Sequence, residues 1–166
     1  MRFVVTGEWS KNRFLKTIVW CFLIYTAVLW LSNAGLYFAK MSLDPASVVE
    51  YYRGDPERYL QPRSYVGLLE TLHFHSFAMG ILLMTLTHLM LFVPLSNATK
   101  AWGIATAFTA GLAGELSGWA VRYMHPGFAV AKVFFFLLLE GTLLYLMVVV
   151  ARALLTSSST AYTHGE

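Results

Sequence analysis

The fold class predicted for this chain is all-α: an integral membrane four-helix bundle with a short periplasmic helical cap between helices 1 and 2. Three observations predict it. Of 166 residues, 57% are hydrophobic and only 13% are charged, and the mean hydropathy is +0.58. That balance suits a polytopic membrane protein better than a soluble core. Four apolar stretches follow one another, each long enough to cross a hydrocarbon layer of about 30 Å. Between the first two lies the one sizeable polar connector, rich in tyrosine. The whole chain, 1–166, reads as one transmembrane domain without internal repeat.

The first span is predicted at about 14–38. It opens on Lys11, Arg13 and Lys16 like a signal peptide, but its apolar run is much longer than a signal core and no small-residue cleavage site follows. It reads as an uncleaved anchor. The connector, 39–65, carries two helix-start signals. Asp44-Pro45 offers an N-cap and a first-turn proline, with Gly54 placed to end that helix, and Asp55-Pro56-Glu57 repeats the pattern at once. Two short surface helices are therefore expected. Their tyrosines suit a bilayer interface, and Tyr51, Tyr52, Arg53 and Arg58 are expected near a protein contact.

The second span, about 66–93, holds Glu70, His73, His75 and His88 in otherwise apolar surroundings. Ionisable groups inside a bilayer are costly and mark function by default. His73 and His88 stand about 22 Å apart along a helix axis and within about 60° of one face, with Gly80 between them. His73 and His75 point about 200° apart, so one site cannot easily use both. The third span, about 99–123, bears a small-residue face of Ala107, Gly111, Gly114 and Gly118 beside Glu115. Close helix packing and a cofactor or quinone groove are competing readings of it. The fourth, about 127–152, follows the tight connection His125-Pro126-Gly127 and carries Lys132 and Glu140. The tail from Thr156 is polar and is expected to be disordered.

Charge leaves several function classes out. A net charge of +3 spread along the chain gives no nucleic-acid signal. The single Cys21 excludes an internal disulfide and any CxxCH attachment, so a haem would be held by side chains alone. Lysine and arginine divide evenly between the two sides, but those flanking helix 1 favour cytoplasmic termini. The expected location is a bacterial inner membrane, multi-pass, with both termini inside.

The His73–His88 spacing around Gly80 resembles the haem-bearing helices of cytochrome b and related four-helix respiratory membrane anchors. The resemblance covers helix 2 only. It implies haem b between two axial histidines from different helices. His73 and His125 are the first candidates, then His75, then His88, with Arg122 or Lys132 beside a propionate. The family's second paired-histidine helix is missing here, so His88 has only Met147, Cys21 or a second subunit at its level. Glu70-x-x-His73 is half of a di-iron pattern whose second half is absent. Glu70, Glu115 and Glu140 would serve proton or quinone chemistry. The expected function is a membrane haem-b electron-transfer subunit linking the quinone pool to a periplasmic redox partner. A non-redox accessory subunit of a larger membrane complex and a membrane metal-binding protein are the alternatives. Expected partners are the lipid bilayer and other membrane or periplasmic subunits. No catalytic residue is assigned.

Overall fold

Five helices follow in chain order in the computed structural model, which describes residues 12–159: α1 Arg13–Lys40, α2 Pro45–Arg53, α3 Tyr65–Leu91, α4 Asn97–Tyr123 and α5 Phe128–Ser159. Local chemistry sets their starts. Asn12, Asp44, Ser64 and Ser96 each accept a backbone N–H of the first turn that follows, satisfying donors the helix itself cannot. Pro45 occupies the first turn of α2 and Gly54 ends it, as the sequence predicts. The Gly54 φ is +77°, and a Cβ there would collide with the Leu60 carbonyl, so only glycine fits.

The long helices run antiparallel in sequence. Arg122 Nε donates to the Arg63 carbonyl at 3.0 Å, which ties the end of α4 to the start of α3. At the other end Lys100 Nζ donates to the Leu91 carbonyl at 2.7 Å. One end of the bundle therefore carries α2 and the other carries the α3–α4 turn; these are the cap side and the far side below. α5 is the central helix and touches all four others. It packs most closely on α4, whose buried face is Ala107, Ala110, Gly114, Ser117, Gly118 and Val121. Small side chains let the two backbones approach. α1 joins through Tyr37, stacked on Phe136 with centroids 3.6 Å apart, and Trp30, whose Nε1 donates to the Glu140 carbonyl at 3.1 Å.

One expectation is met in part and two are corrected. Among the described residues α1, α3 and residues 128–156 of α5 are long and apolar enough to cross a membrane, three of the four expected spans. α4 has the length, at 27 residues, but glycine, serine, threonine and alanine take the places of larger apolar groups. The cap holds one helix among the described residues. Asp55 Oδ1 accepts the Glu57 N–H at 2.9 Å, as an N-cap would, but Asp55 and Leu60 then exchange two backbone bonds. Tyr59 sits at φ +57°. The chain turns back before a second helix can wind. Finally, α5 continues through Thr156, whose hydroxyl donates to the Arg152 carbonyl at 3.0 Å, so the tail does not begin there. Residues 160–166 of the expected tail, with Arg2 and Lys11 of the charge comparison, lie outside the described residues.

Candidate functional site

Beneath α2, between α1, α3, α4 and α5, lies a cavity of about 670 Å³. Its composition changes with depth. Lys40, Tyr51, Tyr52 and Glu70 line the cap end, then His75, Glu115 and Lys132, then Met79, Leu83, Phe108, Phe135 and Leu139. Phe108 is seven residues before Glu115 on α4, and Leu139 seven beyond Lys132 on α5, so both lie about 10 Å deeper. The space thus has a polar head and an apolar body.

Its chemistry centres on three side chains from three helices. His75 Nδ1 is 3.0 Å from Glu115 Oε1. Lys132 Nζ lies 3.9 Å from that same oxygen and donates to the Gly114 carbonyl at 2.8 Å. Lys132 is buried at 9% exposure, a position a lysine takes only when partnered. The Glu115–His75 contact fixes the ring: a carboxylate accepts from Nδ1–H, which leaves the Nε2 lone pair unused. Glu70, at the rim, has no hydrogen-bond or ion-pair partner among the described residues.

The roof is Tyr52. Its ring rests on Gly118, where a Cβ would meet the Tyr52 hydroxyl at 2.6 Å. Burial and, second, the nearby Glu115 charge push the Tyr52 hydroxyl above the usual tyrosine range. The buried cluster Val48, Tyr52, Leu68, Val121 and Ala129 fastens the cap to α3, α4 and α5. Arg63 lies over the Tyr51 ring at 5.1 Å. Tyr52 is therefore not available to a partner protein, contrary to expectation, whereas Arg53 and Arg58 are exposed and Arg58 pairs with Glu50.

The expected ligands are not brought together. His75 faces the cavity, and His73, on the opposite side of α3, is exposed with its ring edge against Phe74. His125 is exposed and its Nδ1 accepts the Gly127 N–H at 3.0 Å, shaping the α4–α5 connection. His88 is exposed beside Phe92 on the far side. Neither His73 nor His125 lines the cavity. Arg122 holds the Arg63 carbonyl and covers the Tyr123 ring. Gly80 lies at the cavity wall with nothing within 4 Å of a Cβ there. The small face of α4 serves both readings. Gly118 receives Tyr52, while Gly111 and Gly114 pack on Leu83 and Phe135 and also line the cavity. No group of three or more His, Cys, Asp or Glu able to hold a metal ion occurs among the described residues.

Sequence reasoning missed Asn33. It half-faces the cavity from α1, and its Nδ2 donates to Glu140 Oε1 at 2.6 Å. Its signal was present: a lone amide in an apolar span needs a partner.

Helical spans around a cavity with a charged head define an integral membrane protein with an internal cavity. The chain belongs to the Aq_1264_TM family, a transmembrane helical domain, whose model matches residues 42–161. The match takes in α2 through α5 and leaves α1 out. No curated protein and no solved structure matches the chain.

Proposed function

We propose that this chain is a membrane subunit that binds an amphipathic, quinone-class ligand beneath α2, and that His75, Glu115 and Lys132 handle its protons. The observation that carries the reading is the graded cavity. A hydrogen-bonding head fits among His75, Glu115 and Lys132, and an apolar tail fits along Met79, Leu83 and Phe108. A quinone, when bound, supplies two-electron, two-proton chemistry. His75 Nε2 is the atom free to accept a hydroxyl proton of the reduced ligand, and once protonated it donates to the carbonyl oxygen of the oxidised one. Its Nδ1 bond to Glu115 lets one proton reside on either group. Lys132 holds the negative charge of Glu115 in place when the proton leaves. In this reading α4 is the fourth span, the cap lies on the periplasmic side of a bacterial inner membrane, and partner subunits supply or take the electrons.

Haem b is the second reading, and one observation favours it. A metal-bound histidine almost always gives its other ring N–H to a carboxylate or carbonyl, and His75 is placed that way. His75, rather than His73, would then be the residue of this chain that holds the haem iron. No second histidine lines the cavity, so the opposite position falls to a partner subunit.

Titration of purified protein in lipid nanodiscs with a short-tailed quinone tests the first reading. Glu115→Gln and His75→Ala should each weaken binding at least about tenfold, the loss of one good hydrogen bond to a charged group. His73→Ala and His125→Ala should leave it unchanged. Absence of quinone binding would pass the chain to the accessory-subunit reading. A reduced-minus-oxidised optical spectrum tests haem: the band should vanish in His75→Ala and survive in His73→Ala and His125→Ala.

A further inference from the structure

One titratable group stands apart from the three that handle the cavity head. Glu140, at the middle of α5, is 8% exposed. Its Oε1 accepts from Asn33 Nδ2 at 2.6 Å. Its Oε2 is fully buried and has no hydrogen-bond partner among the described residues. No ion pair to Glu140 is found among those residues either. The ionisable groups nearest in register are Tyr37 of α1 and Lys132 of α5 toward the cap and Tyr145, five residues beyond on α5, toward the far side. None of them bonds Glu140. Lys132 is eight residues away, about 12 Å along the axis.

A bare carboxylate in that place would have no counter-ion and only the uncharged donors of Asn33 and Trp30 beside it, with Oε2 unpartnered, a state that buried charges avoid by neutralising. The alternative to a counter-ion is a proton on Oε2, the oxygen left unused. Asn33 then plays a defined part. Its amide donates to the carbonyl oxygen of the acid, and Asn33 itself lines the cavity wall. Glu140 is thus one side chain removed from the cavity.

A second cavity, between α4 and α5 on the far side, reaches Gly141 and Thr142 but is not lined by Glu140. Beyond Glu140 the far-side core of Leu86, Leu143, Leu146, Met147, Val150 and Leu154 is buried, and the buried polar side chains beside it among the described residues, Thr26 and Thr87, spend their hydroxyls on carbonyls of their own helices. Water and protons have a polar approach from the cap end of the cavity and none through this core. We propose that Glu140 is a proton-binding site at the floor of the cavity, a dead-end store filled and emptied from the cap side past Asn33. The transfer is a simple one: a proton from cavity water binds Glu140 Oε2, and the same bond breaks on release. It goes beyond the quinone reading and does not depend on what occupies the cavity.

Infrared difference spectroscopy on the ligand-free protein in nanodiscs tests it. The wild type should show the carbonyl stretch of a protonated carboxylic acid, and transfer to D₂O should shift it. Glu140→Gln, nearly the same shape, should remove the band, and Glu115→Gln should keep it. Glu140→Asp should move the band rather than delete it, which separates loss of the acid from loss of fold. Asn33→Leu should raise its frequency and slow its exchange at least tenfold. A band that persists in Glu140→Gln, or a wild type with none, overturns the site. A band that never exchanges, or exchanges equally fast in Asn33→Leu, overturns the route. Quinone binding is measured separately, so failure of either idea leaves the other readable.

Discussion

The two ends of this bundle are built from the same helices and solve opposite problems. On the far side, Leu82, Leu86 and Met90 of α3 meet Leu143, Leu146 and Val150 of α5 across Ala107 and Ala110, all buried. On the cap side those helices carry His75, Glu115 and Lys132 at comparable positions, and a space of about 670 Å³ stays between them. The lesson is that packing and opening are set by side chains, not by helix geometry. Branched aliphatics interlock to crystal-like density. Charged groups must instead keep room for partners, and Tyr52 closes the roof over Gly118.

The largest expected effect breaks the charged end. Glu115→Leu leaves Lys132 buried with only a carbonyl partner and should cost about 3–5 kcal/mol, the scale for breaking a buried pair. Glu115→Leu with Lys132→Leu should recover most of that loss. Unfolding in mixed micelles measures both, and a double variant no better than the single would deny that the pair acts as a unit.

Truncation then compares the ends directly. Leu86→Ala in the dry core should cost about 2–5 kcal/mol through lost contacts and a new void. Met79→Ala only enlarges a space already present and should cost about 1 kcal/mol or less. Equal losses in the same unfolding assay would show the cavity to be filled by packing.

Glycine substitutions sharpen the same contrast more gently. Gly118→Ala drives a methyl group into the Tyr52 ring and should cost about 1–3 kcal/mol, as overpacking does. It should also lift the cap, seen as faster proteolysis between α2 and α3. Gly80→Ala, with open space at its Cβ, should be neutral or gain about 0.5–1 kcal/mol from helix propensity.

The smallest effect is one of pH. The Tyr52 hydroxyl is held above the ordinary tyrosine range, so the folded cap keeps its proton while an undocked cap loses it. Docking is unaffected below the ordinary tyrosine value and weakens as pH rises past it. Cap proteolysis should accelerate in that alkaline window, and Tyr52→Phe should blunt the acceleration. The far-side core should show no such window.

Much of this molecule was legible in one dimension. Composition and run length gave the helical membrane class, and Asp44-Pro45 with Gly54 gave α2 to the residue, because caps and hydrophobic spans act within a few residues of sequence. The separation of His73 and His75, about 200° around the helix, allowed at most one of them to face the cavity. Which one did so was not local information. It depended on α4 presenting Glu115 and on Tyr52 fitting over Gly118, contacts between residues tens of positions apart. The ranking that placed His73 and His125 first leaned on Gly80 and on shared height. Neither fixes the rotation of a helix about its own axis, and α3 has apolar groups on every side. Tertiary packing alone set that rotation, joined Asn33 to Glu140, and left one polar cavity at the cap. Burying the ionisable groups together costs less than burying them apart, and only the folded bundle can count which of them meet.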